Sequence, residues 1–226
     1  MKLHRELHHI QRHIIKVLGL RETARYRDLK LSGVESSLYN YHLKEVIREG
    51  LVEKTADGEY RLSLAGLKYV DHVGVRTFEP RWQPKIINNF VISNERGELL
   101  FYRKLRQPFV GLWNLPSGKL HYEDSSVTAG AQRELTMIVG QGTSYEYRGT
   151  VDAVLRLDGE VVSRVLYFVH RVELVARDKV GDVYEWRRFD KADEAHYAPQ
   201  VAAVIDLVQS GKTGDLRSVE IDRYRG

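Results

Sequence analysis

Apolar positions recur at helical spacing through the first 75 residues and at strand spacing through most of the rest. Ile10, Ile14, Ile15, Val17 and Leu18 give one face of a first helix. A short second helix fits residues 25–31, with Leu29 inward, and the run Leu31-Ser32-Gly33 breaks it. A third helix is predicted over 35–49, with Ser36 or Ser37 near its N-terminus and Gly50 as its stop. On that helix Tyr39, Leu43, Val46 and Ile47 share a face and are expected to be buried. Ser37, Asn40, Tyr41 and Lys44 then point the other way. Residues 51–54 and 59–64 read as paired strands around Ala56-Asp57-Gly58, a strong hairpin signal, and residues 65–71 close as a helix.

Residues 72–85 hold two of the five prolines and no clear period, which places a junction there. Beyond it, 89–92 and 99–102 are strands flanking a turn at 94–97. Residues 151–157 and 161–172 flank Asp158-Gly159, and 183–186 is a short strand. Helices are predicted at 126–139 and 198–209, and the polar stretch after Ser210 reads as a loose tail. The pattern predicts an α+β protein of two domains. They are 1–75, a linker at 76–85, and 86–212, with 213–226 as the tail.

Composition narrows the class. No run of about 18 apolar residues exists, so no membrane-spanning helix is expected. The chain has no cysteine, which excludes disulfides and thiolate metal sites; with the polar N-terminus this suggests a cytoplasmic protein. The net charge of +4 is uneven: the first 80 residues hold fourteen Lys/Arg against eleven Asp/Glu. That half is the better candidate for a polyanionic partner. The pairs His4/His8 and His9/His13 have the i,i+4 spacing of a metal clamp, but no carboxylate-rich neighbour supports one, so a solvated basic helix end is expected.

Helix, helix, helix, hairpin is the order of a winged helix-turn-helix. The segment Ser36-Ser-Leu-Tyr-Asn-Tyr-His-Leu-Lys44, with Gly50-Leu-Val52 and Tyr60-Arg-Leu-Ser-Leu-Ala-Gly66, resembles the recognition helix and wing of bacterial and archaeal winged-helix regulators over about residues 8–75. The resemblance implies double-stranded DNA as partner. A groove-reading helix needs short donors and acceptors plus a cation for phosphate. Ser36, Ser37, Asn40, Tyr41 and Lys44 supply these types, with Asn40 suited to an adenine edge and the serines to a phosphate at the helix N-terminus. Lys54 and Arg61 would serve on the wing. The alternative is a winged helix that binds protein or dimerises.

Downstream, Trp113-Asn-Leu-Pro-Ser-Gly-Lys119 followed by Arg133-Glu134-Leu135 and Gly140 resembles the Nudix box, and the order of strands extends the likeness over about 86–209. It implies a Nudix-type α/β/α sandwich with a mixed sheet. Nudix hydrolysis needs Mg²⁺ on a diphosphate, held by carboxylates. The two adjacent glutamates that follow the "RE" in that family are here Met137 and Ile138, and the loop carboxylate maps onto Asp124 or Ser125. Glu134 remains, with Glu123 and Asp124 as possible helpers, so Mg²⁺ is expected only if the domain is catalytic. The domain is therefore expected to sense a nucleotide or ADP-ribose-like molecule without hydrolysing it. Arg103, Lys119 and Arg133 would offer charge to phosphate; Trp113 and Tyr167 would offer an aromatic surface, with Gly118 and Glu134 alongside. A surviving pyrophosphohydrolase and a non-catalytic dimerisation or adaptor scaffold are the alternatives. A winged helix joined to a Nudix domain resembles Nudix-related transcriptional regulators with the domain order reversed, and that resemblance implies a homodimer on paired half-sites.

Overall fold

A computed structural model describes residues 7–74, 79, 81–174 and 182–221. The chain divides into two compact units, Met1–Trp82 and Gln83–Gly226. The expected linker at 76–85 overlaps residues 76–78 and 80, which lie outside the described residues.

The first unit contains α1 (His9–Gly19), α2 (Tyr26–Leu29) and α3 (Ser36–Arg48), then the antiparallel pair β1 (Val52–Lys54) and β2 (Tyr60–Leu62), then α4 (Leu64–Asp71). Capping explains where two helices begin. The Gln11 side chain accepts from the His8 N–H at 2.9 Å at the start of α1, and Ser63 Oγ accepts from Gly66 N at 3.1 Å at the start of α4. One core joins all the elements: Ile10, Ile14 and Leu18 from α1, Leu29 from α2, Tyr39, Leu43 and Val46 from α3, and Val52 and Leu62 from the hairpin. Ile47, expected inside, is 36% exposed. The buried stripe runs 39, 43, 46, and Ile47 lies at its margin, beyond the neighbours that cover Val46.

Where a solvated helix end is expected, the described histidines of α1 have local partners. His8 is the cap residue of α1 and stacks on His42 of α3, ring centroids 4.0 Å apart. His13 Nε2 is 3.1 Å from the Leu29 carbonyl. His4 lies outside the described residues.

The second unit is built on one mixed sheet. Its strands are β3 (Lys85–Asn94), β4 (Leu99–Arg103), β5 (Trp113–Asn114), β6 (Ser117–Lys119), β7 (Glu146–Leu157), β8 (Glu160–Leu174), β9 (Tyr184–Arg187) and β10 (Asp215–Ile221). The order is β10-β7-β8-β3-β4-β5, with β6 on β3 and β9 on β4. The β3–β8 and β7–β10 pairs are parallel; the others are antiparallel. Alternation along β3 assigns the faces. Phe90 and Ile92 pack with Ala131, Leu135 and Ile138 of α5 (Val127–Val139). Val91 packs with Val201, Val204 and Ile205 of α6 (Val201–Gln209) on the other side. The sheet is thus sandwiched between two helices.

The expected loose tail is instead, over 215–221, an edge strand. Asp215 to Ile221 pair in register with Gly149 to Leu155, and burial alternates along the strand up to the buried Ile221. Arg217 and Glu220 interleave with the apolar positions, and such charges are what blunt an exposed sheet edge; they also hide the strand from a reading by composition.

Candidate functional site

The turn from β6 into α5 is held by one arginine. Arg133 grips Asp124 with both ends of its fork, Nε to Oδ1 at 3.0 Å and Nη2 to Oδ2 at 2.9 Å. The same guanidinium donates to the Lys119 carbonyl at 3.1 Å and to Glu134 Oε1. Asp124 Oδ2 also accepts the His121 N–H at 2.7 Å. It is therefore Asp124, rather than Ser125, that ties the loop to the helix. The Arg133 hydrogen bonds, and then the His121 N–H, hold the Asp124 pKa down at about 2. Two glycines make the approach possible. A Cβ at Gly118 would lie 1.9 Å from Glu134 Cδ, and one at Gly130 would lie 2.8 Å from Asp124 Oδ2.

These residues do not fit Mg²⁺, which demands near-octahedral oxygen ligation. Both Asp124 oxygens are committed to Arg133, and Glu134 shares the same cation. Glu123 is exposed. Met137 is 65% exposed and Ile138 5%, and neither side chain carries an oxygen. Among the described residues no group of three His, Asp or Glu side chains is placed to hold a metal.

Asp124→Asn is expected to lower the thermal midpoint at pH 7. A depressed carboxylate stabilises the fold above its unfolded pKa of about 3.8, and that stability is lost as pH falls towards about 2. The gap between wild type and variant should thus narrow between pH 4 and 2.5 in a thermal melt; an unchanged gap would show that the pair contributes nothing.

Arg103 and Trp113 meet, but not as an open platform. The guanidinium carbons of Arg103 and Arg187 sit 4.5 and 4.3 Å from the Trp113 ring centroid, and Trp113 is 4% exposed. Arg103 also donates to the Gly111 carbonyl at 3.2 Å.

Lys119 goes elsewhere. In the β3–β6 ladder Gly118 faces Asn88 and Lys119 faces Ile87. Alternation therefore turns Gly118 towards α5 and Glu134, and Lys119 to the opposite face of the sheet. There it helps line a cavity of about 210 Å³ together with Lys85, Lys104, Leu155, Val165 and Tyr167. Of the residues expected at a ligand, Lys119 and Tyr167 line this cavity; Arg103, Trp113, Gly118, Arg133 and Glu134 do not. Lys85 and Lys104 were not legible as partners because sheet pairing, not sequence proximity, brings them together. Burial pushes the Tyr167 hydroxyl pKa up.

A buried polar link ties the two faces together. His170 Nε2 is 2.9 Å from Asn88 Oδ1, and Asn88 Nδ2 donates to the Val127 carbonyl at the start of α5 at 3.3 Å. Deeper on the cavity side, Gln200 Nε2 donates to Asn114 Oδ1 at 3.0 Å.

In the first unit, Ser36, Ser37, Asn40, Tyr41 and Lys44 all lie on the exposed face of α3, with Tyr41 57% exposed. Ser36 Oγ receives Lys30 Nζ at 2.8 Å and Ser37 donates to Glu35 at 2.6 Å, so both serines carry local bonds. On the hairpin, Lys54 is exposed, 5.8 Å from the Tyr60 ring centroid, whereas Arg61 is paired with Glu53 at 2.6 Å.

No family model and no curated protein matches the chain. Solved structures do match part of the chain. The NUDIX domain of Shewanella oneidensis NrtR, a cocrystal structure with ADP ribose, is 15% identical, covering 64% of this chain and 97% of that one at a TM-score of 0.46. The MutT protein of Methanosarcina mazei Go1 is 22% identical, covering 59% and 99% at 0.44. A NUDIX hydrolase from Nitrosomonas europaea is 19% identical, covering 58% and 93% at 0.45.

Proposed function

We propose that this chain is a DNA-binding regulator of transcription, a winged helix-turn-helix followed by a Nudix-type domain that binds a nucleotide-type metabolite without hydrolysing it. The observation that carries the non-hydrolytic half is the Arg133 clamp. It takes up Asp124 and Glu134, the carboxylates nearest to a metal set, while Met137 and Ile138 stand where the hydrolase pattern has glutamates. Support for the DNA half is the exposed polar face of α3, with Asn40 and Lys44 one helical turn apart over a fully packed core.

As a homodimer the protein would set two α3 helices against half-sites about one turn of DNA apart. A metabolite shifts DNA occupancy only by the difference in its affinity for the DNA-competent and incompetent arrangements. The testing experiment has two arms on the full chain. Fluorescence anisotropy on DNA from upstream of its own gene, at about 0.15 M salt with excess competitor, should give competitor-resistant binding; only weak, salt-sensitive binding would remove the DNA half. A panel of nucleoside diphosphate derivatives with Mg²⁺ or Mn²⁺ should show no turnover. Turnover abolished by Glu134→Gln would overturn the non-hydrolytic half and make the protein a pyrophosphohydrolase.

A further inference from the structure

The cavity on the α6 face of the sheet collects positive charge that none of its lining residues neutralises. Lys85, Lys104 and Lys119 line it, and no Asp or Glu is among its lining residues. Lys85 donates to Ser163 Oγ, a neutral partner, at 3.1 Å. Among the described residues neither Lys104 nor Lys119 forms an ion pair. Burial first, and the Lys85 charge second, hold the Lys104 ammonium below its ordinary pKa. Gathering like charges in a partly desolvated space costs free energy, and an anion placed among them recovers it.

Apart from Gln107, Ser163 and Gln200, the rest of the wall is mostly apolar. Ile87, Leu155, Val165 and Ile221 come from four different strands, and Phe109 and Tyr167 add rings. Cavity volume bounds the occupant: about 210 Å³ is below the roughly 300–1,000 Å³ usual for drug-sized ligands. A diphosphate joined to two sugars would overflow it. One phosphate with one small organic group would not.

We propose that this cavity binds a compact phosphate monoester without metal, its phosphate among Lys85, Lys104 and Lys119 and its organic part on the apolar wall. The proposal deepens the metabolite-binding half of the function above and rests on that half alone. Three point cations suit the three terminal oxygens of a monoester, and charge-assisted hydrogen bonds to phosphate are strong enough to replace a metal bridge. The Arg133 clamp lies across the sheet and takes no part.

The test is calorimetric titration of the full chain, without DNA and with EDTA present. The probes are ribose 5-phosphate, AMP, ribose, inorganic phosphate and ADP-ribose. Ribose 5-phosphate or AMP should bind saturably, at least 10-fold more tightly than ADP-ribose, and ribose should not bind. Lys104→Gln and Lys85→Gln should each weaken binding 10-fold or more. Lys119→Gln, at an exposed position where folding is not at risk, should weaken it in the same direction. The proposal fails if neither monoester saturates, if ADP-ribose binds more tightly, if binding needs Mg²⁺, or if all three variants bind as wild type. Anisotropy on DNA separates the two claims: lost monoester binding with intact DNA binding overturns the site alone, and the reverse result overturns the regulator alone.

Discussion

Replacing Asn40 and Lys44 together by alanine is expected to lower affinity for specific duplex DNA about 100-fold at 0.15 M salt and to leave the melting temperature unchanged. A bidentate amide–adenine contact is worth about 1–3 kcal/mol and a lysine–phosphate contact adds a salt-dependent share; about 3 kcal/mol together is about 100-fold. Stability should hold because both side chains are exposed on α3, on the side away from Tyr39, Leu43 and Val46. Alanine is also a better helix former than asparagine. The two changes should separate by salt. Lys44→Ala should flatten the dependence of affinity on salt for every sequence, and Asn40→Ala should relax preference at one base pair with the salt slope unchanged. Arg61→Ala is the internal control. Its guanidinium is already spent on Glu53 across the hairpin at 2.6 Å, so its loss should cost much less. If the double variant still binds with full, competitor-resistant affinity, α3 is not the reading element.

The parts of the fold that were legible in the sequence are those in which local pattern and tertiary packing agree. Tyr39, Leu43 and Val46 recur at helical spacing and are buried. Asp57-Gly58 and Asp158-Gly159 sit in turns, with Gly58, Asp158 and Gly159 at positive φ as a tight hairpin requires. Residues 215–221 were illegible for the opposite reason. Their strand exists because β7 supplies a parallel partner 66 positions earlier in the chain, as in the pairing of Asp215 with Gly149, and no local period announces that. Gly149 itself is part of the explanation: a Cβ there would lie 2.4 Å from the Asp215 carbonyl oxygen, so only glycine lets β10 approach.

The candidate site was legible by residue type and less so by grouping. The sequence singled out Arg133, Glu134, Asp124 and Gly118, and they do converge, but on each other rather than on open space. Trp113 drew notice as an aromatic surface, yet Arg103 and Arg187 stack on it. Lys119 is adjacent to Gly118 in sequence and opposite to it in the sheet. A one-residue step in a strand changes the face, and a reading that treats a motif as a block misses that. The cavity lysines fall outside every motif because β3, β4 and β6 each contribute one, or its flank.

The second large effect expected concerns acid stability, through His170. Asn88 Nδ2 donates to the Val127 carbonyl, so the Asn88 oxygen is the atom left to face His170 and it accepts. That fixes the imidazole proton on Nε2 and leaves Nδ1 bare, buried and without a hydrogen-bond partner among the described residues. Protonating Nδ1 would place a cation among Phe90, Tyr145 and Tyr147. Burial accordingly holds the His170 pKa down at about 4 from an ordinary 6.5. The unfolded chain binds this proton and the folded chain does not, so stability is full above pH 6.5 and falls as pH drops towards 4. One group with that shift removes about 3 kcal/mol over the interval. His170→Gln keeps a donor towards Asn88 but cannot titrate. It should be less stable than wild type at pH 7.5, by about 1–2 kcal/mol for the altered packing, and should lose much less between pH 7 and 4.5. Urea unfolding followed by tryptophan fluorescence reads this directly, since Trp113 and Trp186 both lie in the second unit. Equal pH slopes for the two proteins would remove His170 as the cause. Because the same link joins β8 and β3 to the first residue of α5, acid should loosen the Arg133 clamp only after His170 has charged: the clamp's own carboxylate resists protonation down to about 2, whereas His170 takes up its proton near 4.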